Sequence, residues 1–117
     1  MTQTREALVK RALNKLGVIG AGQVASAEDA TAVDDTVDPV MADLATRDIY
    51  AWGDPDQIEN DAFEHLADCL AVANATDYGK SEFDGVTPEQ KRLMAEGRLR
   101  QLNLIFLSGQ PLAVDYY

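Results

Sequence analysis

Apolar residues recur at spacings of three and four over most of this chain, which is the pattern of amphipathic α-helices. In "TREALVKRALNKLG", for example, Leu8, Ala12 and Leu16 share one stripe, and Gly17 follows as a C-terminal cap. The pattern predicts a helix over residues 4–16. Because an apolar stripe must pack against another to leave water, the sequence predicts an all-α fold: a small helical bundle of about four helices with an extended C-terminal tail.

The turn "VIGAGQVA" joins the first predicted helix to the second. Its apolar residues Val18, Ile19 and Val24 are expected to lie beneath the bundle. The second helix is predicted to begin at "SAED", where the Ser26 side chain can accept a hydrogen bond from an N–H of the first turn. The turn therefore reads as a short connection between two packed helices.

Pro39 interrupts the apolar stripe of the second helix, which otherwise continues to Leu44. Proline lacks a backbone N–H, and its ring clashes with the preceding helical turn. We therefore expect a kink here, or a restart in which Asp38 is the cap and Pro39 is the first helical residue.

A third helix is predicted in "AFEHLADCLAVANA", after a cap at Asn60 or Asp61. Its apolar residues follow the same spacing of three and four, and its many alanines favour close packing against a neighbouring helix. The face expected to be buried comprises Phe63, Leu66, Cys69, Leu70 and Ala73.

The last helix is predicted from two start signals that agree. Thr87 is the expected cap with Gln90 reaching back to it, and Pro88 stands at the first helical position. The helix ends in "LNLIFL", which is apolar nearly all round and must therefore be buried on every side. A monomer of this size can hardly cover that end, so we expect a subunit interface that includes Leu104, Ile105, Phe106 and Leu107.

The final segment "SGQPLAVDYY" has no helical period and many apolar groups for a free end. We expect residues 1–107 to form a helical domain and residues 108–117 to form an extended docking tail. Pro111 keeps this segment out of a helix, and alternate residues of an extended chain share one face. The residues expected to dock on a partner are Pro111, Leu112, Val114, Tyr116 and Tyr117.

The formal net charge of −10 is concentrated in the middle of the chain. Between Glu28 and Asp68 there are thirteen acidic residues and one base, Arg47. Such a chain is a poor candidate for binding nucleic acid, because that binding depends on Lys and Arg displacing counterions from phosphates. The acids could instead form a surface that repels DNA, with Asp34, Asp35, Asp38 and Asp43 as candidates.

The residues offer little for catalysis or metal binding. His65 is the only histidine, and Cys69 is the only cysteine and lies at an apolar helical position. Pairs of carboxylates are expected by chance in so acidic a chain and are interpreted as a solvated face. We therefore expect no enzyme activity, no metal and no cofactor. No stretch approaches the roughly 18 apolar residues that span a bilayer, so we expect a soluble protein made in a cytoplasm.

The order of these segments resembles the head-to-tail adaptor proteins of tailed bacteriophages, also called tail accessory factors or packaged-DNA stabilisation proteins. The resemblance lies in "ALVKRALNKLGVIGAGQVASAEDATAVDDTVDPVMADL", in "FEHLADCLAVANATDYG" and in the ending "LSGQPLAVDYY". It covers most of the chain from Ala7 to Tyr117. The chain departs from the family's pattern at Pro39 and at Trp52, because the family often has a tryptophan segment directly continuing the second helix.

The resemblance implies a structural protein of the virion, located at the head–tail junction. Such adaptors form a ring, usually of twelve copies, below the portal protein, where they seal the packaged DNA and offer an attachment surface to the downstream tail protein. DNA would pass through without specific binding, and the acidic segment would suit that channel. Bases of the first and last helices would bridge acidic neighbouring copies.

Two other classes of function stay open at the level of sequence. One is a small acidic helical interaction module or regulator of host type that binds a basic partner. The other is a virion-associated cell-wall hydrolase, for which pairs of carboxylates would be the only machinery available. Assembly on a portal, a one-to-one complex with a host protein, and clearing of peptidoglycan distinguish the three.

Overall fold

The computed structural model describes residues 2–20, 23–50, 57–83 and 85–108, with the backbone alone described for Thr2 and for 104–108. These residues form an all-α fold, as the periodicity predicts. The helices are α1 (Arg5–Leu16), α2 (Ala27–Asp34), α3 (Val37–Thr46), α4 (Asn60–Asn74) and α5 (Pro88–Ser108). Two short strands, β1 (Thr2–Gln3) and β2 (Ile58–Glu59), pair antiparallel.

Both predicted ends of α1 are confirmed. The Thr4 hydroxyl accepts a hydrogen bond from the Ala7 N–H at 3.1 Å, which satisfies one of the free donors of the first turn. Gly17 ends the helix in the left-handed region, with φ 78°. Its N–H donates to the Asn14 carbonyl at 3.1 Å. A residue without a Cβ adopts this conformation at little cost, which is why a glycine stands here.

The helix predicted to begin at Ser26 is divided into α2 and α3, so the described residues form five helices. Ser26 caps α2, as predicted, and accepts from the Asp29 N–H at 3.1 Å. The restart is also confirmed, but its position is not. The break falls at Thr36, whose hydroxyl donates to the Val33 carbonyl at 2.7 Å. Pro39 is the third residue of α3, where an N–H would have no helical partner and its loss costs little.

The start of α4 differs from the prediction by one residue. Asn60 is already helical, and the N-cap is Glu59, which makes no side-chain capping bond. Instead, β2 pairs with β1 immediately before the helix, in the register Thr2 to Glu59 and Gln3 to Ile58. The buried face also differs, because Ala73 is exposed and Phe63 is partly buried. The buried alanines of α4 are Ala62, Ala67 and Ala71.

The start of α5 is a reciprocal capping box, as predicted. The Thr87 N–H donates to Gln90 Oε1 at 3.2 Å, and the Gln90 N–H donates to Thr87 Oγ1 at 3.2 Å. Pro88 is the first helical residue. The backbone stays helical to Ser108, one residue beyond the predicted domain end, and residues 109–117 of the predicted tail lie outside the described residues.

The helices pack in the order α2, α1, α4, α5, so α1 and α4 are central while α2 and α5 form opposite flanks. Helix α3, which follows α2 in the chain, contacts α2 and α4. Residues from most of these elements meet in one core, whose largest fully buried side chains include Leu8, Leu13, Leu44, Ile49, Leu66, Leu70 and Leu99. No helix among the described residues is long and apolar enough to cross a membrane.

Candidate protein interaction surfaces

One side of α5 exposes large apolar side chains. Leu93 is 56% exposed and Met94 is 60% exposed, although Leu99, further along the same helix, is completely buried. Gly97 lies between them, and a Cβ built there would meet nothing within 4 Å. We call Leu93, Met94 and Gly97, with their flanking residues Arg98 and Arg100, the α5 outer face.

The helical period relates the predicted interface residues to this face. At about 100° per residue, positions 104 and 105 fall in line with Leu93, Met94 and Gly97. Position 106 falls in line with Ala95, Leu99 and Leu102, the residues of α5 that pack on the core. Of Leu104, Ile105, Phe106 and Leu107 the structure describes the backbone alone, which is helical, so their place in an interface stays a prediction. The docking residues Pro111, Leu112, Val114, Tyr116 and Tyr117 lie outside the described residues.

Two arginines flank the apolar strip of the α5 outer face. Arg98 and Arg100 are exposed, and neither forms an ion pair with any residue that the structure describes. Arg98 donates only to the side chain of Gln101, at 3.3 Å. An apolar centre with a polar rim is the usual composition of a protein–protein interface.

A third large apolar residue, Val24, is exposed in the loop before α2. The sequence predicted that Val24 would lie beneath the bundle, and this is wrong, since its side chain is 89% exposed. Ile19 is buried and Val18 packs partly against the core, as expected. Val24 lies at the mouth of a groove between α1 and α2, which Arg5 and Lys10 also line. Glu28 and Asp35 are both exposed and stand seven residues apart, on one side of α2.

Three of the four predicted channel acids form ion pairs within their own chain. Arg5 binds Asp34 at 2.7 Å and Asp38 at 3.0 Å, which ties α1 to α2 and α3. Asp43 binds Arg47 at 2.6 Å. Asp35 is exposed and has no ion pair with a described residue. Asp35 is thus the candidate whose charge is least offset by a neighbouring base.

Three of the four bases of α1 that were expected to bridge neighbouring copies pair with acids of their own chain, whereas exposed Lys10 has no ion pair with a described residue. Besides Arg5, Arg11 binds Glu64 at 2.8 Å, and Lys15 lies between Glu64 at 3.0 Å and Asp68 at 2.9 Å. Arg11 holds the pKa of the Glu64 carboxyl below its usual range through a side-chain hydrogen bond, with Lys15 adding to the effect. These bonds join α1 to α4 along an edge that is partly exposed, where each pair contributes little to stability.

Glu96 on α5 is the one buried acid among the described residues, with 3% of its surface exposed. Arg47 binds both carboxylate oxygens, at 3.2 and 2.7 Å, and Arg92 binds Oε2 at 3.1 Å. Burial by itself would raise the pKa of Glu96, but the hydrogen bonds and charge of Arg47, with the charge of Arg92, outweigh it and the pKa is lowered. The cluster fixes the end of α3 to α5.

We expect Glu96 to make folding stability fall at acid pH. Its pKa is lower in the folded state than the usual 4.5, so its contribution is complete above that pH and is lost as the pH falls below it. Thermal unfolding of the native chain and of Glu96→Gln should therefore differ most at pH 7 and converge toward pH 3. Exposed Glu82→Gln is the control, and a gap between Glu96→Gln and the native chain that persists at low pH would contradict this assignment.

Burial shifts the pKa values of two further titratable residues, His65 and Cys69. Burial lowers the pKa of His65, and no group of three potential metal ligands is found among the described residues. Burial also raises the pKa of the Cys69 thiol to about 12, so at neutral pH it is protonated and poorly nucleophilic. A polar cavity of about 360 Å³ is lined by one acid, Asp68, and by four bases, Arg11, Lys15, Lys80 and Lys91. Asp68 pairs with Lys15 at 2.9 Å, so positive charge is in excess there.

The sequence analysis did not identify the α5 outer face. The signal for the α5 outer face was present, because Leu93 and Met94 are adjacent in the chain and cannot both follow one buried stripe with Ala95 and Leu99. Comparison with protein-family models, with curated proteins and with solved structures found no match. The surfaces described above are therefore interpreted from their own geometry and charge.

Proposed function

We propose that this protein is a structural head-to-tail adaptor of a tailed bacteriophage, and that its copies form a ring below the portal. The observation that carries the proposal is the α5 outer face. A small domain that buries a continuous core yet leaves Leu93 and Met94 more than half exposed on one helix has a surface suited to a protein partner. The order of the sequence segments, which resembles that of the adaptor family, indicates who the partners would be: the portal protein and neighbouring copies of the chain.

The contacts in the rest of the molecule are consistent with a structural role. Ion pairs join the central and peripheral helices, among them Arg5 with Asp34 and Arg47 with Glu96. A DNA channel remains part of the proposal, but fewer acids are free to give its wall a negative charge. Asp35 and Glu28 are exposed and have no base of their own chain beside them among the described residues, whereas Asp34, Asp38 and Asp43 do.

Electron microscopy of the purified protein mixed with its candidate portal particles tests the proposal. We expect additional ring density below the portal, and we expect the protein alone to be mainly monomeric in light scattering. Portal particles that stay bare, together with a one-to-one complex with a host protein, would replace the adaptor by an interaction module. Clearing of peptidoglycan by the purified protein would replace it by a hydrolase.

A further inference from the structure

We infer that the polar cavity of about 360 Å³ is a binding site for a small anion that carries phosphate groups, of about the size of pyrophosphate. The adaptor role does not use this cavity, so the inference goes beyond the proposed function and does not depend on it. We call it the basic cavity, and its wall includes Arg11, Lys15, Asp68, Lys80, Phe83 and Lys91.

Four bases reach the basic cavity from separate parts of the chain. Arg11 and Lys15 stand on α1, Lys80 lies in the segment after α4, and Lys91 stands near the start of α5. All four are partly buried. A charge that is partly removed from water needs an opposite charge or a hydrogen-bond partner, so four such bases around one cavity favour an anion inside it.

The acids beside these bases do not balance their charge. Glu64 pairs with Arg11 at 2.8 Å and with Lys15 at 3.0 Å. The Lys15 Nζ also approaches Asp68 Oδ1 to 2.9 Å, while the Lys91 Nζ lies 3.9 Å from the same oxygen. The second distance is longer than a hydrogen bond. One carboxylate therefore faces two ammonium groups, and the charge of Lys91 is only partly offset.

Lys80 supplies a positive charge that no acid of the described chain offsets, since it forms no ion pair with a described residue. Its Nζ lies 5.6 Å from the centre of the Phe83 ring. Phe83 is itself buried, so the ring gives the ammonium group a fixed neighbour while leaving its charge in place. Lys80 and Lys91 are thus the two bases that remain able to donate to a ligand.

The chemistry and size of the basic cavity favour a small phosphate compound. Lysine and arginine donate charge-assisted hydrogen bonds to phosphate oxygens. Small-molecule sites have volumes of about 300 to 1,000 Å³, and this cavity lies at the lower end of that range. A long polyanion such as DNA would also meet the rest of the chain, whose formal net charge is −10. A small anion avoids most of that repulsion, because salt screens charges more than about 10 Å away.

Isothermal titration of the purified full chain with pyrophosphate, at constant ionic strength, tests the site. We expect one pyrophosphate to bind per chain. Lys80→Gln/Lys91→Gln should weaken binding at least about tenfold, because each base donates a charge-assisted hydrogen bond. The matched control is Lys10→Gln/Arg100→Gln, which removes the same two charges from exposed positions outside the cavity and should bind as the native chain does.

A variant that should gain affinity separates the cavity from a general attraction to positive charge. Asp68→Asn removes the acid of the cavity wall and releases Lys15 and Lys91 from it, so pyrophosphate should bind several-fold more tightly. Circular dichroism without pyrophosphate checks that each variant is folded. The lysine variants decide the question if Asp68→Asn does not fold. Amide NMR shifts on titration should change most at Gly17 and Phe83, which also line the cavity.

Three results would overturn the inference. The first is no binding of pyrophosphate by the native chain, and the second is equal affinity in Lys80→Gln/Lys91→Gln and in the matched control. The third is duplex DNA that binds as tightly as pyrophosphate at the same phosphate concentration, which would indicate an exposed surface for polyanions in place of a cavity site. None of these measurements uses portal particles, so their outcome is separate from that of the proposed function.

Discussion

Leu99→Ala should lower the free energy of unfolding by about 3 kcal/mol, while Leu93→Ala should change it by less than about 0.5 kcal/mol. The two leucines stand on the same helix, yet Leu99 is fully buried and Leu93 is 56% exposed. Truncating Leu99 removes buried methyl groups and leaves a cavity between α5 and the core, whereas truncating Leu93 removes atoms that water already reaches. Urea unfolding followed by circular dichroism measures both changes.

This pair of variants is its own control, because the change in side chain and the helical setting are the same. Leu93→Ala should nevertheless weaken the assembly of the protein on portal particles, because it removes an exposed apolar group of the α5 outer face. A loss of stability in Leu93→Ala comparable to that in Leu99→Ala would mean that the exposed side of α5 is covered in the folded chain, and the α5 outer face would then not be an interaction surface.

Deleting residues 110–117 should abolish attachment to portal particles while leaving the helical domain folded. Each large apolar anchor that is buried on binding contributes roughly 1 to 3 kcal/mol, so removing Leu112, Val114, Tyr116 and Tyr117 together should cost several kcal/mol per copy. Extended over its eight residues, the segment reaches at most about 29 Å, far enough to leave its own subunit. Co-sedimentation with portal particles and thermal unfolding of the truncated chain give the two readouts.

A matched pair of substitutions separates the anchors from the remainder of this segment. Tyr116→Ala/Tyr117→Ala should lose most of the binding, and Asp115→Asn, which lies between two expected anchors, should keep it. Full binding by the truncated chain would show that another surface holds the portal. Unfolding of the truncated chain would show that the segment belongs to the core of its own subunit.

The caps could be predicted from the sequence because each depends on residues only a few positions apart. Ser26 and Asp29 make a bond across three residues, and so do Thr87 and Gln90. Such bonds need only the local helical geometry, and the tertiary structure does not have to be known. The local signal failed where it was ambiguous, as at Pro39, which is tolerated anywhere in a first helical turn and so does not fix the first residue.

The sequence indicates that the apolar residues of α5 cannot all lie on one buried stripe, but it does not say which side of the helix stays exposed. Leu93 and Leu99 have the same side chain in the same helix, and only the position of α4 decides which of them is buried. The ion pairs that occupy the predicted channel acids are equally non-local, since Arg5 and Asp34 are 29 residues apart and Arg47 and Glu96 are 49 residues apart. Val24 shows the same limit, because an apolar residue in a short loop carries no period from which its burial can be inferred.

The sequence by itself determined that the chain is helical and where α1, α2 and α5 begin, since periodicity and capping are properties of neighbouring residues. The tertiary structure decided which side of each helix is buried and which charges are neutralised within the chain. These depend on side chains that folding brings together from distant positions, as Glu96 is brought to Arg47. After this packing Val24, Leu93 and Met94 stay exposed. Exposed apolar side chains of this kind are available to bind a partner.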